Sequence, residues 1–262
     1  MRIIVKVGTS TLAHPNGCLN IRRTEELCEV LSDLKNAGHE IILVSSGAIG
    51  MGVGKLMLKE RPKDMPTKQA AAAVGQCELM YTYDKLFSEY HHTVAQILMT
   101  GADFQHEDRY QNFRNTIYRL LELQVLPIIN ENDTVATEEI AVGDNDTLAA
   151  IVATSVQADL LILLSDIDGL YTADPHKNPN AELISIVPKI DEKILALGGD
   201  KGSSLGTGGM RTKLRAAQIC TESGCDMVIT NGAEPQRLYD ICDGKQIGTR
   251  FLSRSGEERT TC

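Results

Sequence analysis

The chain has 262 residues, 42% of them apolar, which is ample for a sizeable hydrophobic core and too apolar for a disordered chain. Its net charge of −9 argues against a general nucleic-acid binder, which needs a basic face, but not against a nucleotide substrate. The longest apolar runs, such as LLILL at 160–164, are too short to span a bilayer, and MRIIVKVG at the N-terminus has no signal-peptide stretch, so no membrane partner is expected.

RIIVKV (2–7) predicts a strand. Ile21, Leu27, Val30, Leu31 and Leu34 then fall near helical spacing, with Gly38 closing the helix. EIILVS (40–45) predicts a second strand. A loop rich in glycine, lysine and proline is expected from Gly47 to Pro66, followed by a helix over 67–90 that tolerates Gly75. TVAQILM (93–99) is a third strand, 112–124 a helix, and VLPIIN (125–130) a fourth strand despite its proline. A helix at 146–157, the strand LLILLS (160–165), a weaker strand near 183–187 and a short helix at 191–197 come next. A helix at 210–223, the strand DMVIT (226–230) and a helix at 235–242 complete the pattern. The strands are nearly continuous apolar runs, as a sheet buried on both faces requires, and the helices between them supply the cover. The expectation is an α/β fold with a central, mainly parallel sheet in one domain, residues 1–252, and a polar tail, SRSGEERTTC, over 253–262.

Seven scattered cysteines without a CxxC pair read as reduced thiols in a cytoplasmic protein, and the six histidines show no metal-ligand spacing.

Ligands in open α/β sheets lie beyond the carboxyl ends of the strands. Here those ends carry Lys6-Val7-Gly8-Thr9-Ser10, Ser45-Ser46-Gly47-Ala48, NENDTV (130–135) and Ser165-Asp166. Each alone is an ordinary polar turn; together they converge on one edge. Lys6 interrupts an apolar strand. A buried lysine needs a partner, so it either points to solvent from an edge strand or serves an anion beside Gly8. GTGGMRTK (206–213) has Gly206, Gly208 and Gly209 ahead of a helix whose N-terminal N–H groups suit phosphate. Lys213 in its first turn opposes the helix dipole unless an anion lies beside it. Asp144-Asn145-Asp146 opens another helix; one carboxylate makes a cap, and the rest exceeds what a cap needs.

The segments KVGTS (6–10), SSGAI (45–49), NENDTV (130–135), VGDNDTLAA (142–150), GLYTADP (169–175) and LGTGGMRTK (205–213) occur in this order across most of the chain. The ordered set closely resembles the amino-acid kinase family, and within it the members that act on glutamate. The resemblance implies a three-layer αβα sandwich and ATP-dependent phosphorylation of the γ-carboxylate of L-glutamate, the first step of proline synthesis. It also implies Mg²⁺ carried with ATP, L-proline as feedback inhibitor, a homo-oligomer, and absence of the C-terminal PUA module that many relatives carry. By position it gives Lys6, Lys213 and Asp146 catalytic roles. Ser46, Asp133 and Asn145, with Asp144 beside them, become substrate-binding. Lys6, Gly8, Ser165, Asp166, Thr207, Gly208, Gly209, Met210, Arg211, Thr212 and Lys213 become nucleotide-binding. No GxGxxG follows the first strand, which disfavours a dinucleotide-dependent oxidoreductase. Acetylglutamate, carbamate or uridylate kinases and a non-catalytic regulator of the same fold are the competing readings.

Overall fold

The computed structural model describes residues 1–14, 18–135, 144–175, 177–199 and 209–253. One eight-stranded sheet spans it, made of β1 (Arg2–Val7), β2 (Glu40–Ser45), β3 (Val94–Met99), β4 (Leu126–Glu131), β5 (Leu160–Ser165), β6 (Ile186–Val187), β7 (Asp226–Asn231) and β8 (Thr249–Phe251), in the order β3-β4-β2-β1-β5-β7-β8-β6. The six strands from β3 to β7 in that order pair in parallel, while β8 runs antiparallel to β7. The mainly parallel sheet expected from the sequence is therefore present. The short β8 was not foreseen, and the strand expected at 183–187 is reduced to two residues. Pro127 lies before the β2–β4 pairing begins at Ile128, so its missing N–H removes no bond from that ladder.

Nine helices accompany the strands among the described residues: α1 (Thr9–Leu12), α2 (Ile21–Asn36), α3 (Ala48–Lys55), α4 (Met65–Ser88), α5 (Glu107–Glu122), α6 (Asn145–Ser155), α7 (Glu192–Ala196), α8 (Met210–Glu222) and α9 (Arg237–Cys242). Side chains on a strand alternate between faces, and the core divides accordingly. Ile3, Val5 and Val7 of β1 pack with Leu27 and Leu31 of α2, Leu79, Tyr83 and Phe87 of α4 and Leu238 of α9. Ile4 faces the other way, with Phe113 and Ile117 of α5, Leu148 and Val152 of α6 and Leu214 and Ala217 of α8. By this parity Lys6 belongs to the face that α6 and α8 cover. It lies in a central strand between β2 and β5, not on an edge.

The segment expected to be a loop from Gly47 to Pro66 corrects in part: it contains the helix α3. Three of its eight residues are glycine, which local propensity counts against a helix. Packing overrides propensity here. A Cβ on Gly75 would stand 1.8 Å from Ala48 O and 2.4 Å from Gly52 N, and one on Gly52 would stand 1.8 Å from Ala71 O. The two glycines let the backbones of α3 and α4 touch. Gly47 supplies the left-handed turn (φ 107°) that starts α3 directly after β2. Downstream, Asp64 caps α4 by accepting from Thr67 N at 2.9 Å.

Gly75→Ala and Gly52→Ala should each destabilise the fold by about 2 kcal/mol or more, because backbone cannot yield to the new methyl. Gly50→Ala meets only Thr9 Cγ2 at 3.5 Å. It should be neutral or stabilise by up to ~1 kcal/mol, as alanine replaces glycine inside a helix. Urea unfolding midpoints of the three variants check this. Equal behaviour at all three positions would remove the backbone-contact explanation.

Candidate active site

Parallel strands bring their carboxyl ends to one edge of the sheet, and there the apolar runs give way to polar side chains. Ser45, Asn130, Ser165 and Thr230, at or next to the ends of β2, β4, β5 and β7, are all buried. Backbone bonds tie the segments beyond these ends together. Ser46 N donates to Val7 O at 3.1 Å, Asn132 N to Met99 O at 2.8 Å and Gly232 N to Ser165 O at 2.8 Å.

At the centre is Asp146, on the first turn of α6 and 1% exposed. Lys6 Nζ lies 2.6 Å from its Oδ1 and Lys213 Nζ 3.0 Å from its Oδ2. Thr212 Oγ1 donates to the same Oδ2 at 3.2 Å. Burial alone would raise the Asp146 pKa. The charges of Lys6 and Lys213 and their hydrogen bonds outweigh it and hold the carboxyl at about 2. A depressed folded-state pKa means that the ionised carboxylate stabilises the fold at every pH above the ordinary aspartate range. That contribution is lost as the pH falls from about 4 towards 2. The anion that Lys213 needs beside its helix dipole is thus Asp146.

The three residues that open α6 diverge. Asp144 is the N-cap, accepting from Thr147 N at 2.8 Å and from Thr147 Oγ1 at 3.2 Å. Its pKa is raised by burial and then by the Asp146 charge. Asn145 turns to the end of β2: its Nδ2 shares its two hydrogens among Ser46 Oγ at 2.7 Å, Asn130 Oδ1 at 3.0 Å and Ser45 O at 3.2 Å. Its Oδ1 is buried with no hydrogen-bond partner among the described residues. Ser46 and Asn145 are therefore in direct contact. Asp133 is partly buried just past β4, and burial raises its pKa, with the Arg61 charge opposing.

On the other side of β1, Gly8 leads into α1, and a Cβ there would lie 3.7 Å from Lys6 Nζ. Ser165 is buried at the end of β5, and its hydroxyl donates to Asp166 Oδ1 at 3.1 Å. Gly209 is the N-cap of α8 and has no side chain to cap it; Met210 and Arg211 follow in the first turn. Thr207 and Gly208 lie outside the described residues. The sequence did not single out Asn130, although it stands in NENDTV, nor Asn231 at the end of β7 and Asp168 beyond β5, whose side chains bond at 3.0 Å. The available signal was a polar residue ending an apolar run; it occurs at β2, β4, β5 and β7 alike and does not rank them.

The Amino acid kinase family pattern matches residues 1–231. The chain is 53% identical to a protein named glutamate 5-kinase from Clostridium acetobutylicum, over 97% of this chain and 95% of that one. It is 52% identical to one from Listeria monocytogenes, over 98% and 94%. A third, from Caldanaerobacter subterraneus, is 52% identical over 96% of this chain but only 68% of its own length. Among solved structures, carbamate kinase from Giardia lamblia bound to AMP-PNP superposes with a TM-score of 0.68 at 17% identity, covering 96% of this chain and 98% of that one. UMP kinase from Bacillus anthracis superposes with a TM-score of 0.65 at 14% identity, covering 97% and 96%. At those identities the likeness is one of fold, and it is the αβα sandwich seen here. With the family pattern running through β7 and relatives above 50% identity along nearly its whole length, the chain belongs to the amino acid kinase family.

Proposed function

We propose that residues 1–252 act as one catalytic domain that transfers the γ-phosphoryl group of ATP to the γ-carboxylate of L-glutamate. The observation that carries this reading is the single buried carboxylate, Asp146, holding two lysines from different elements one residue away from the Asn145–Ser46 contact. The relatives above 50% identity, named glutamate 5-kinase, support the choice of acceptor.

The chemistry asks little of acid–base groups. A free γ-carboxylate has a pKa of about 4.3 and is already a nucleophile at neutral pH. Its oxygen attacks the γ-phosphorus, the bond to the ADP oxygen breaks, and an acyl phosphate forms. Asp146, ionised down to about pH 2, does not serve as a base at neutral pH. Its role is to hold Lys6 and Lys213 in place. The lysines offset charge on the transferring group, and the helix N-terminus after Gly209 offers N–H donors to the phosphates. In this assignment Gly8, Ser165, Asp166, Thr207, Gly208, Gly209, Met210, Arg211 and Thr212 serve the nucleotide, and Ser46, Asp133 and Asn145 the amino acid. Asp144 acts as the α6 cap beside them. Mg²⁺ is proposed to enter on the triphosphate. There it would be held chiefly by phosphate oxygens and water. A cytoplasmic location and a homo-oligomer are part of the same proposal.

ADP release dependent on L-glutamate, with the acyl phosphate trapped by hydroxylamine, tests the reaction itself; no glutamate-dependent release would reject it. Lys213→Ala should lower kcat by roughly a hundredfold or more, as for loss of one electrostatic donor. Asp146 keeps Lys6 and Thr212 as partners, so the fold should survive. Near-normal kcat in a folded variant would remove Lys213 from the mechanism.

N-acetylglutamate replaces the charged ammonium with a bulkier neutral group. The buried Asn145 Oδ1 and the Asp133 carboxylate would then lose a cationic donor, so kcat/KM should fall by on the order of a hundredfold or more. Comparable use of both acceptors would place the activity in a neighbouring branch.

L-proline shares the α-carboxylate and a cationic amine with glutamate but cannot be phosphorylated. As an inhibitor overlapping the glutamate site, it should raise the apparent KM for glutamate and leave kcat at saturation unchanged. Asp133→Ala should weaken both ligands, whereas changes at Lys55–Lys59, at the end of α3, should weaken proline alone. Proline titrations at several glutamate concentrations check this, and inhibition that glutamate does not relieve would exclude overlap.

A further inference from the structure

The contacts of Asn145 continue away from the lysines as a chain of side-chain amides. Asn145 Nδ2 donates to Asn130 Oδ1 at 3.0 Å, Asn130 Nδ2 to Gln76 Oε1 at 2.9 Å, and Gln76 Nε2 to Gln96 Oε1 at 3.2 Å. The chain runs from α6 through β4 and α4 to the edge strand β3. Asn130 and Gln76 are buried, and Gln96 is exposed. Gln76 has no part in the phosphoryl-transfer chemistry above, yet a buried amide on an alanine-rich helix face has a desolvation cost that only good partners offset.

We propose that Gln76 is a positioning residue for the amino-acid substrate, acting through Asn130 on Asn145; the inference rests on the glutamate reading. A primary amide has a donor end and an acceptor end, and its usefulness to a ligand depends on which end faces it. Ser45 O can only accept, so it fixes the Asn145 nitrogen on the β2 side. Asn130 Oδ1 reinforces this orientation. The end left over is Asn145 Oδ1, the buried acceptor without a partner among the described residues, which suits the ammonium of an amino acid.

Asn130 must itself be held for this to work. Its Oδ1 accepts from Glu131 N at 2.9 Å, and its Nδ2 is taken by Gln76. Without the Gln76 acceptor, Asn130 would carry a buried unpaired donor. Rotation of its side chain relieves that and withdraws Oδ1 from Asn145. The reach of Gln76 is set by its neighbour. Gly75 seats α4 directly on the backbone of Ala48, in the same turn that carries Ser46 and Gly47. The span between Gln76 and the substrate-side residues therefore rests on a backbone contact and not on a compressible side chain.

The test measures KM for L-glutamate, KM for ATP and kcat in Gln76→Met, Gln76→Asn and Gln76→Glu, with thermal melts to verify folding. Methionine keeps the length and removes both polar ends. Asparagine keeps an amide but falls short of Asn130. Glutamate keeps an acceptor for Asn130 and gives up the donor to Gln96. The methionine and asparagine variants should raise KM for L-glutamate by about tenfold, with KM for ATP and kcat within about threefold of wild type, and Gln76→Glu should recover part of the loss. Should the methionine variant not fold, Gln76→Asn decides. A glutamate KM within about twofold of wild type, or glutamate and ATP KM values rising together, would overturn the positioning role. Absence of glutamate-dependent ADP release in the wild type is a different failure: it removes the acceptor assignment, and the role of Gln76 with it.

Discussion

Two lysines sharing one buried carboxylate is the constraint on which the rest of the site depends. A carboxylate as deeply buried as Asp146 would cost several kcal/mol if unpaired. Lys6 and Lys213, both nearly buried, would each cost a comparable amount. Together they partner one another, two ammonium groups to one carboxylate, at the edge of the sheet where the strands end. Lys6 comes from β1, Asp146 from α6 and Lys213 from α8, so the set exists only if strand parity, helix register and the packing of α6 against α8 are all correct. Fold and charge placement are one requirement here.

The start of α6 shows how three consecutive polar residues divide their work. Asn145 and Asp146 are successive helical residues and point about 100° apart, as 3.6 residues per turn dictates, while Asp144 is the extended N-cap before them. Asp144 turns back to cap the helix, Asn145 turns to β2 and β4, and Asp146 turns to the lysines. The cap places the other two, because it fixes where the helix begins. Three adjacent positions thus hold distinct sets of contacts.

The fold was legible where side-chain pattern and burial agree. The continuous apolar runs of β1, β2, β5 and β7 leave few alternatives to a doubly covered sheet. Lys6 was legible for the opposite reason, as a charge inside such a run. Its partner could not be read from spacing, since Asp146 is 140 positions away and the contact is made by tertiary packing. The helix α3 was missed because its glycines signal a loop to local propensity, whereas their value lies in the Cβ atoms they lack against α4. Gln76 was hidden in the same way. A glutamine in an alanine-rich helix reads as solvent-facing until the crossing angle is known. Thr207 and Gly208 remain a matter of sequence alone, since they lie outside the described residues.

A polar edge on an apolar sheet also explains why the strands stop where they do. Ser45, Asn130, Ser165 and Thr230 have almost no exposure, yet each places a hydroxyl or amide where the core could have held another methyl group. A folding criterion alone would favour the methyl, because every buried polar atom must find a partner to avoid a cost of about 1–3 kcal/mol. Some partners are present, such as Tyr83 OH at 2.8 Å from Ser45 Oγ. Thr230 Oγ1 and Asn145 Oδ1 have none among the described residues. Ser32 Oγ in α2 and His39 Nδ1 before β2 are likewise buried without a partner among the described residues. What sets the carboxyl edge apart is that Thr230 Oγ1 and Asn145 Oδ1 stand there beside the Asp146–lysine set.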